Sequence, residues 1–386
     1  MRMRMANLLR VRTGAQRVTN VELFFDLVYV FAVTQLSHYL LGHATVEGAF
    51  QTALLLALVW LAWEYTAWTT NYLDPDRIPV RLLLMSLMLV SLVMSAALPQ
   101  AFGKLGLVVG AAYATMQIGR SAFMMVALRG ERLERTFQRL LVWSVVSGGL
   151  AILGGMANGH ARELLWLLAP GTDLLGAAAG FYTPGLGRSV TTDWTIAGSH
   201  LAERCQGFIL IALGESIVVI GATLAGLPAL TAPEVLAFMA AFSGAVGLWW
   251  LYFDRGADES ERVIAASTDP GRLGRSAFHF IHPIMVAGII VTAAADELVL
   301  SHPARIAEAS TVWLVLGGTA LFLAGHAAFK IVVWRHVSWT RLGAVAVLAA
   351  LGLFGKQLTG VALISFAAVG VIAVALSDRL LMGHDS

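Results

Sequence analysis

The stretch VELFFDLVYVFAVTQLSHYLLG at residues 21–42 decides the fold class. It is an apolar run long enough to cross a hydrocarbon core of about 30 Å, which takes roughly 20 helical residues. Working outward, runs of the same kind, bounded by Gly, Pro or charge, recur near residues 48–70, 80–98, 105–128, 137–156, 163–182, 200–225, 233–253, 276–299, 310–333, 339–355 and 359–380. With the first, near 20–42, they predict twelve helices. The sixth is interrupted by Pro170, Gly171 and Asp173. Composition agrees: 58% of the 386 residues are apolar and 13% charged, against about 45–50% and about 25% in a soluble domain. The mean hydropathy is +0.75. No single soluble core absorbs so many apolar segments, so the chain reads as an all-α polytopic transmembrane helix bundle and not as a soluble enzyme.

The net charge of +2, with no Lys/Arg run interleaved with aromatics, argues against a nucleic-acid partner. A single cysteine, Cys205, excludes an intramolecular disulfide and a Cys-based metal cage. The N-terminal MRMRMANLLRVRTG lacks the apolar run and cleavage site of a signal peptide. Residues 1–19 read instead as a retained cytoplasmic basic arm, whose arginines favour an anionic leaflet. Cytoplasmic loops collect Lys and Arg. With the N-terminus inside, all of the 26 Lys and Arg but Lys104, Arg162, Arg305 and Lys356 fall on one side. This predicts a multi-pass protein of the bacterial inner membrane with both termini cytoplasmic.

Two halves emerge when the first and seventh helices are aligned. FAVTQLS at 31–37 lies over IALGESI at 211–217, with Ala32 over Ala212 and Gln35 over Glu215. In the following helices VWLAWEY, ending at Tyr65, lies over GLWWLY, ending at Tyr252, and each leads to an acid, Asp74 and Asp254. The pattern predicts a six-helix repeat over 20–183, a cytoplasmic linker over 184–199 and a second repeat over 200–386. An even unit makes the repeats parallel, about an axis along the membrane normal.

Ionisable groups inside membrane spans are costly unless paired or hydrated, so each is a candidate site residue. The first helix carries Glu22, Asp26, Gln35 and His38. Glu22 and Asp26, four apart, share a face, and Gln35 falls near it. The structural alternative is that the acids only favour the helix N-terminus, with Asn20 as cap. The seventh helix offers His200, Glu203, Arg204, Glu215 and Ser216. Glu215 lies too deep in it to reach the interface. The ninth begins FHFIHP, with His279 and His282 ahead of Pro283, which frees a carbonyl one turn back. Glu64, Asp296, Glu297 and His326 complete the set. Trp60, Trp63, Trp68, Trp249 and Trp250 read as packing and interface residues. Gly214, Gly221 and Gly226 read as a small-residue face for close helix approach. GLGR at 185–188 lacks the strand-to-helix setting of a phosphate loop. Protease, esterase and Walker motifs are missing, and no catalytic residue is assigned.

On these residues the chain resembles the bacterial low temperature requirement A family. The matching stretches are residues 21–40, NYLDPD at 71–76, ERCQGFILIALGESIVVIG at 203–221, LWWLYFD at 248–254 and the His-Pro segment at 279–283. CQG at 205–207 stands where a bulkier apolar stretch is expected. The resemblance implies a multi-pass membrane protein linked to growth in the cold. The first helix also distantly resembles that of the lysosomal-type potassium channels without a pore loop, at Phe24, Phe25 and Asp26.

Three functions follow. The first is a transporter or channel for a cation or a proton-coupled small solute, with helices 1 and 7 lining a polar pathway. Carboxylates without a matching run of buried Lys or Arg favour a cation. The second is a membrane-embedded metal- or haem-binding protein or enzyme using His200, His279, His282 or His326, imidazole being the commonest metal ligand. The third is a regulator of envelope physiology in the cold. No cofactor is named by the sequence. The expected partners are the lipid bilayer and a small solute or ion, with a homo-oligomer open.

Overall fold

The computed structural model describes residues 8–10, 17–190, 197–254 and 256–382. Among them every extended regular element is a helix, and β pairing is confined to isolated bridges such as Leu9 with Leu73. The helices are α1 (Asn20–Gly42), α2 (Val46–Tyr72), α3 (Ile78–Ala97), α4 (Gly106–Ala127), α5 (Glu134–Met156), α6 (Gly159–Ala178), α7 (Gly198–Gly226) and α8 (Ala232–Phe253). They continue with the short α9 (Gly256–Ala265) and α10 (Pro270–Gly274), then α11 (His282–Ser301), α12 (Ala309–Trp334), α13 (Trp339–Phe354) and α14 (Gly360–Met382). The chain is a polytopic helical membrane protein. Helices occupy all twelve expected segments, and among the described residues ten are long and apolar enough to cross a membrane.

Of the expected twelve, α4 and α6 fall short of that measure because they carry buried polar groups. Gln117 and Arg120 lie in α4, and Arg162, Glu163 and Asp173 in α6. Intramembrane polar groups turned to the protein interior escape the cost of facing lipid. The interruption expected at Pro170 and Asp173 is corrected: α6 is continuous, with Pro170 inside it. The ninth expected helix also differs. A π-helical turn, Arg275–Ile281, joins α10 to α11 without a break, and Pro283 follows it at the start of α11, where its missing N–H removes a helix bond to the preceding turn, as expected.

The chain forms two compact units. The first comprises residues 1–36, 50–207 and 265–274, and the second 37–49, 208–264 and 275–386. Thus α1 and α7 each contribute to both, and the first turns of α7 belong to the first unit. The proposed linker is described only in part, since residues 191–196 lie outside the described residues, as do 1–7 and 11–16 of the basic arm.

Within the first unit α4 and α5 approach closely. A Cβ at Gly110 would overlap the carbonyl of Ala151, and one at Gly155 would lie 2.6 Å from the carbonyl oxygen of Gly106. Gly288 and Gly318 play the same part between α11 and α12 in the second unit. The glycine face expected on α7 is corrected: a Cβ at Gly214, Gly221 or Gly226 would meet nothing within 4 Å. Arg162 is buried and gives its guanidinium to the carbonyls of Ala101 at 2.7 Å and Gly103 at 3.0 Å, and its Nε to Ala157 at 2.9 Å. It satisfies carbonyls that helix ends leave open. Large side chains left exposed are apolar along many helices, among them Leu89, Val347, Leu353 and Val369, as a lipid-facing surface requires.

Candidate functional site

Helix α1 starts on a capping box. The Thr19 backbone N–H and hydroxyl donate to Glu22 Oε2 at 2.8 and 2.9 Å, and the Glu22 N–H reaches back to Thr19 Oγ1 at 3.4 Å. Thr19, not Asn20, is therefore the cap, a Thr-x-x-Glu pattern that satisfies open N-terminal donors. Both readings of Glu22 hold at once, because its other oxygen does different work. Glu22 Oε1 accepts from His200 at 2.8 Å and from Arg204 Nη1 at 3.3 Å.

One turn on, Asp26 Oδ1 accepts from Arg204 Nη2 at 2.6 Å and from the Trp63 indole at 2.6 Å. Arg204 Nη1 also reaches Thr70 Oγ1 at 3.1 Å, and the guanidinium carbon lies 5.7 Å from the Trp63 ring centroid. The side chains of Glu22, His200 and Arg204 are 0% exposed and that of Asp26 4%. Arg10 closes the cluster from the arm, 3.3 Å from Glu22 Oε2 and bonded to the Thr70 carbonyl at 3.2 Å. Arg10 is thus turned to protein and not to the leaflet, while Arg2, Arg4 and Arg12 lie outside the described residues.

The proton on His200 follows from its neighbours. Ala197 N–H donates to Asn71 Oδ1 at 2.9 Å and the Ala197 carbonyl accepts from Asn71 Nδ2 at 2.9 Å, which fixes the amide's orientation. Asn71 Nδ2 then donates to His200 Nδ1 at 3.2 Å, so Nδ1 offers a lone pair and the proton sits on Nε2, toward Glu22. The imidazole is neutral. Two carboxylates and two guanidiniums, those of Arg10 and Arg204, make the cluster balanced in charge, and among the described residues Arg204 Nε is a buried donor without a hydrogen bond.

A second polar group lies in the same unit. Asp173 Oδ2 accepts from Tyr113 at 2.5 Å and Gln117 at 2.9 Å. Gln117 in turn accepts from Arg120, whose Nη1 reaches the Ala62 carbonyl at 3.3 Å. Tyr113, Gln117 and Arg120 recur at helical spacing on α4. That polar stripe in an apolar helix is the sequence feature that marks them.

Of the sequence-derived candidates, the structure brings together Glu22, Asp26 and His200, with Arg204. Gln35 is half-buried, and Glu64 is buried and accepts from the Trp68 indole at 2.6 Å. Glu203 is exposed and accepts from the Val18 N–H at 3.0 Å. His38, Glu215, Ser216, His279 and His282 belong to the second unit. There Glu215 is buried, Ser216 bonds the Ala212 carbonyl at 3.5 Å, and half-exposed His38 lies 3.6 Å from Glu297. His279 is buried in the π turn, while His282 meets the Tyr252 hydroxyl at 3.4 Å. His326 accepts from Arg341 at 3.3 Å, and Arg341 pairs with Asp378 at 2.6 Å.

Two premises are corrected by this geometry. Buried Arg204 matches the buried acids Glu22 and Asp26, and Trp63 and Trp68 serve carboxylates as well as packing. Among the described residues no three His, Cys, Asp or Glu side chains gather in a metal-binding geometry.

The profile described as "Bacterial low temperature requirement A protein (LtrA)" matches residues 17–376. An uncharacterised protein of Rhizobium meliloti (strain 1021) is 34% identical over 375 residues, covering 96% of this chain and 91% of that one. No solved structure matches.

Proposed function

The chain belongs to the bacterial low temperature requirement A family, and we propose that it is an inner-membrane transporter or channel for a cation or a proton-coupled small solute. One observation carries this reading: a cluster of Glu22, Asp26, Arg204 and neutral His200, balanced in charge once Arg10 is counted, is buried in the first unit. Replacing a buried ion pair with apolar side chains is often neutral or stabilising, so packing by itself gives no reason to place charges there. Intramembrane ionisable groups mark ion paths and proton relays.

The chemistry that suits the cluster is proton uptake at His200 Nδ1. A proton there removes the acceptor for Asn71 Nδ2 and adds a positive charge beside Glu22 and Arg204, so the balance must be restored by movement of Arg204 or departure of a cation. The unpaired Nε of Arg204 is a donor for an anionic or carbonyl group of a solute. A six-helix repeat is supported by one parallel between the units. Tyr65 lies against Arg120, ring centroid to guanidinium carbon 5.1 Å, and Tyr252 lies 6.3 Å from the ring of His326. Each aligned tyrosine thus faces a basic side chain from the fourth long helix of its half. The distribution of Lys and Arg supports cytoplasmic termini, for which an inactive C-terminal alkaline phosphatase fusion is the expected result and an active one the refutation.

The test is flux. Purified protein in liposomes loaded with a pH-sensitive dye is given imposed Na+, K+ and proton gradients. Wild type is expected to move protons or cations under at least one gradient, and Asp26→Asn and His200→Gln to fall to the protein-free background while eluting as folded species. Wild-type flux at background under every gradient, or full flux in both variants, overturns the reading.

A further inference from the structure

Asp296 lies in α11 of the second unit and is 1% exposed. Its Oδ2 has no hydrogen-bond partner, and among the described residues no Lys, Arg or His is paired with it. It lines a cavity of about 20 Å³, enough for one water, which needs roughly 10–15 Å³. The other walls come from α8 at Ala240 and Gly244, from Thr292 one turn earlier on α11, from α12 at Thr319 and from α14 at Ala367. None of the remaining lining residues is titratable. On its own helix the neighbouring Glu297 is engaged with His38 at 3.6 Å.

The hydrogen-bonding capacity of the cavity is one-sided. Thr292 Oγ1 donates to the Gly288 carbonyl at 2.9 Å and Thr319 Oγ1 to the Val315 carbonyl at 3.1 Å. With their hydrogens committed, both hydroxyls offer only lone pairs, and an ionised Asp296 would add only acceptors. A buried charge must be paired or neutralised, and the lining offers an ionised Asp296 neither a donor nor a counter-charge. Three oxygen-bearing side chains fall short of the six or more ligands of Ca2+ and the near-ideal octahedron of Mg2+. A proton needs none of this, and it supplies the missing donor.

We propose that Asp296 is a proton-binding site. Its carboxylic acid donates to a single cavity water, and that water donates to the two threonine oxygens. Uptake of one proton converts the carboxylate to the acid and requires no other reactant. The site belongs to the second unit and the Glu22–Arg204 cluster to the first, and its occupancy does not rest on the transport reading.

The test is infrared spectroscopy of the protein in lipid nanodiscs at neutral pH without any gradient, using carboxyl-13C aspartate to identify bands. Wild type is expected to show a protonated-carboxyl C=O band that Asp296→Asn removes and that Thr319→Val shifts by removing a hydrogen-bond acceptor. If Asp296→Asn is not recovered folded, labelled wild type and Thr319→Val read the same band. A spectrum unchanged by Asp296→Asn, or unchanged by Thr319→Val where the first variant is lost, overturns the inference. So does thermal stabilisation by Na+ or Li+ over choline that Asp296→Asn abolishes, which would make the occupant a metal cation. Flux failing while the band behaves as expected separates this site from the transport reading.

Discussion

Arg204→Met tests the buried cluster most directly. Arg204 holds Asp26 at 2.6 Å and Glu22 at 3.3 Å, with the arginine side chain 0% exposed. Removing it leaves the Asp26 carboxylate with the Trp63 indole as its remaining hydrogen-bond donor, an uncompensated buried charge that costs about 3–5 kcal/mol. Asp26→Asn keeps an oxygen for Arg204 and Trp63 but loses the charge, for about 1–3 kcal/mol. The double variant carries neither charge, and Glu22 retains Arg10 as counter-ion, so it should be less damaged than Arg204→Met alone. The double-mutant cycle is then expected to show about 2–3 kcal/mol of coupling, at the top of the range for residues in contact. The assay is equilibrium unfolding in micelles, followed by tryptophan fluorescence. Additivity of the two single changes within about 0.5 kcal/mol, the behaviour of independent sites, would refute the ion pair as the element that holds α7 to α1 in the first unit.

Three further outcomes are expected. Tyr113→Phe removes a donor from buried Asp173 and should lower unfolding stability by about 1.5–3 kcal/mol, the usual value of a hydrogen bond to a charged group. A loss below a few tenths would mean that Asp173 draws nothing from that hydroxyl. Glycines on the two kinds of surface should behave oppositely in thermal melts. Gly110→Ala forces a Cβ into the Ala151 carbonyl and should destabilise by about 1–3 kcal/mol, whereas Gly214→Ala meets open space and should stabilise by up to about 1 kcal/mol through helix propensity. Glu215→Gln preserves shape and replaces a buried carboxyl with an amide. It should abolish complementation of a cold-growth defect at normal expression, and intact growth would reduce Glu215 to a packing role.

Hydropathy and charge by themselves determined the helical membrane class, the approximate place of the long helices and the presence of acids inside them, because each of these is a sum over neighbouring residues. The same local reading misjudged α6. Pro170 and Asp173 look like a break in one dimension, yet Asp173 is satisfied by Tyr113 and Gln117 of another helix. It also treated arginines as loop markers, while Arg204 and Arg120 prove to be buried counter-ions and donors. Glu22 and Asp26 were legible as a pair on one face of α1, but their partners on α7 lie 178 residues away. No local periodicity encodes a pairing at that separation. Only the packing of α1, α2 and the first turns of α7 into one unit brings the charges within hydrogen-bond reach. The same packing sets the proton on His200 Nε2 through Asn71, and the meeting of four helices at Asp296 leaves its Oδ2 beside a small cavity with no hydrogen-bond partner among the described residues.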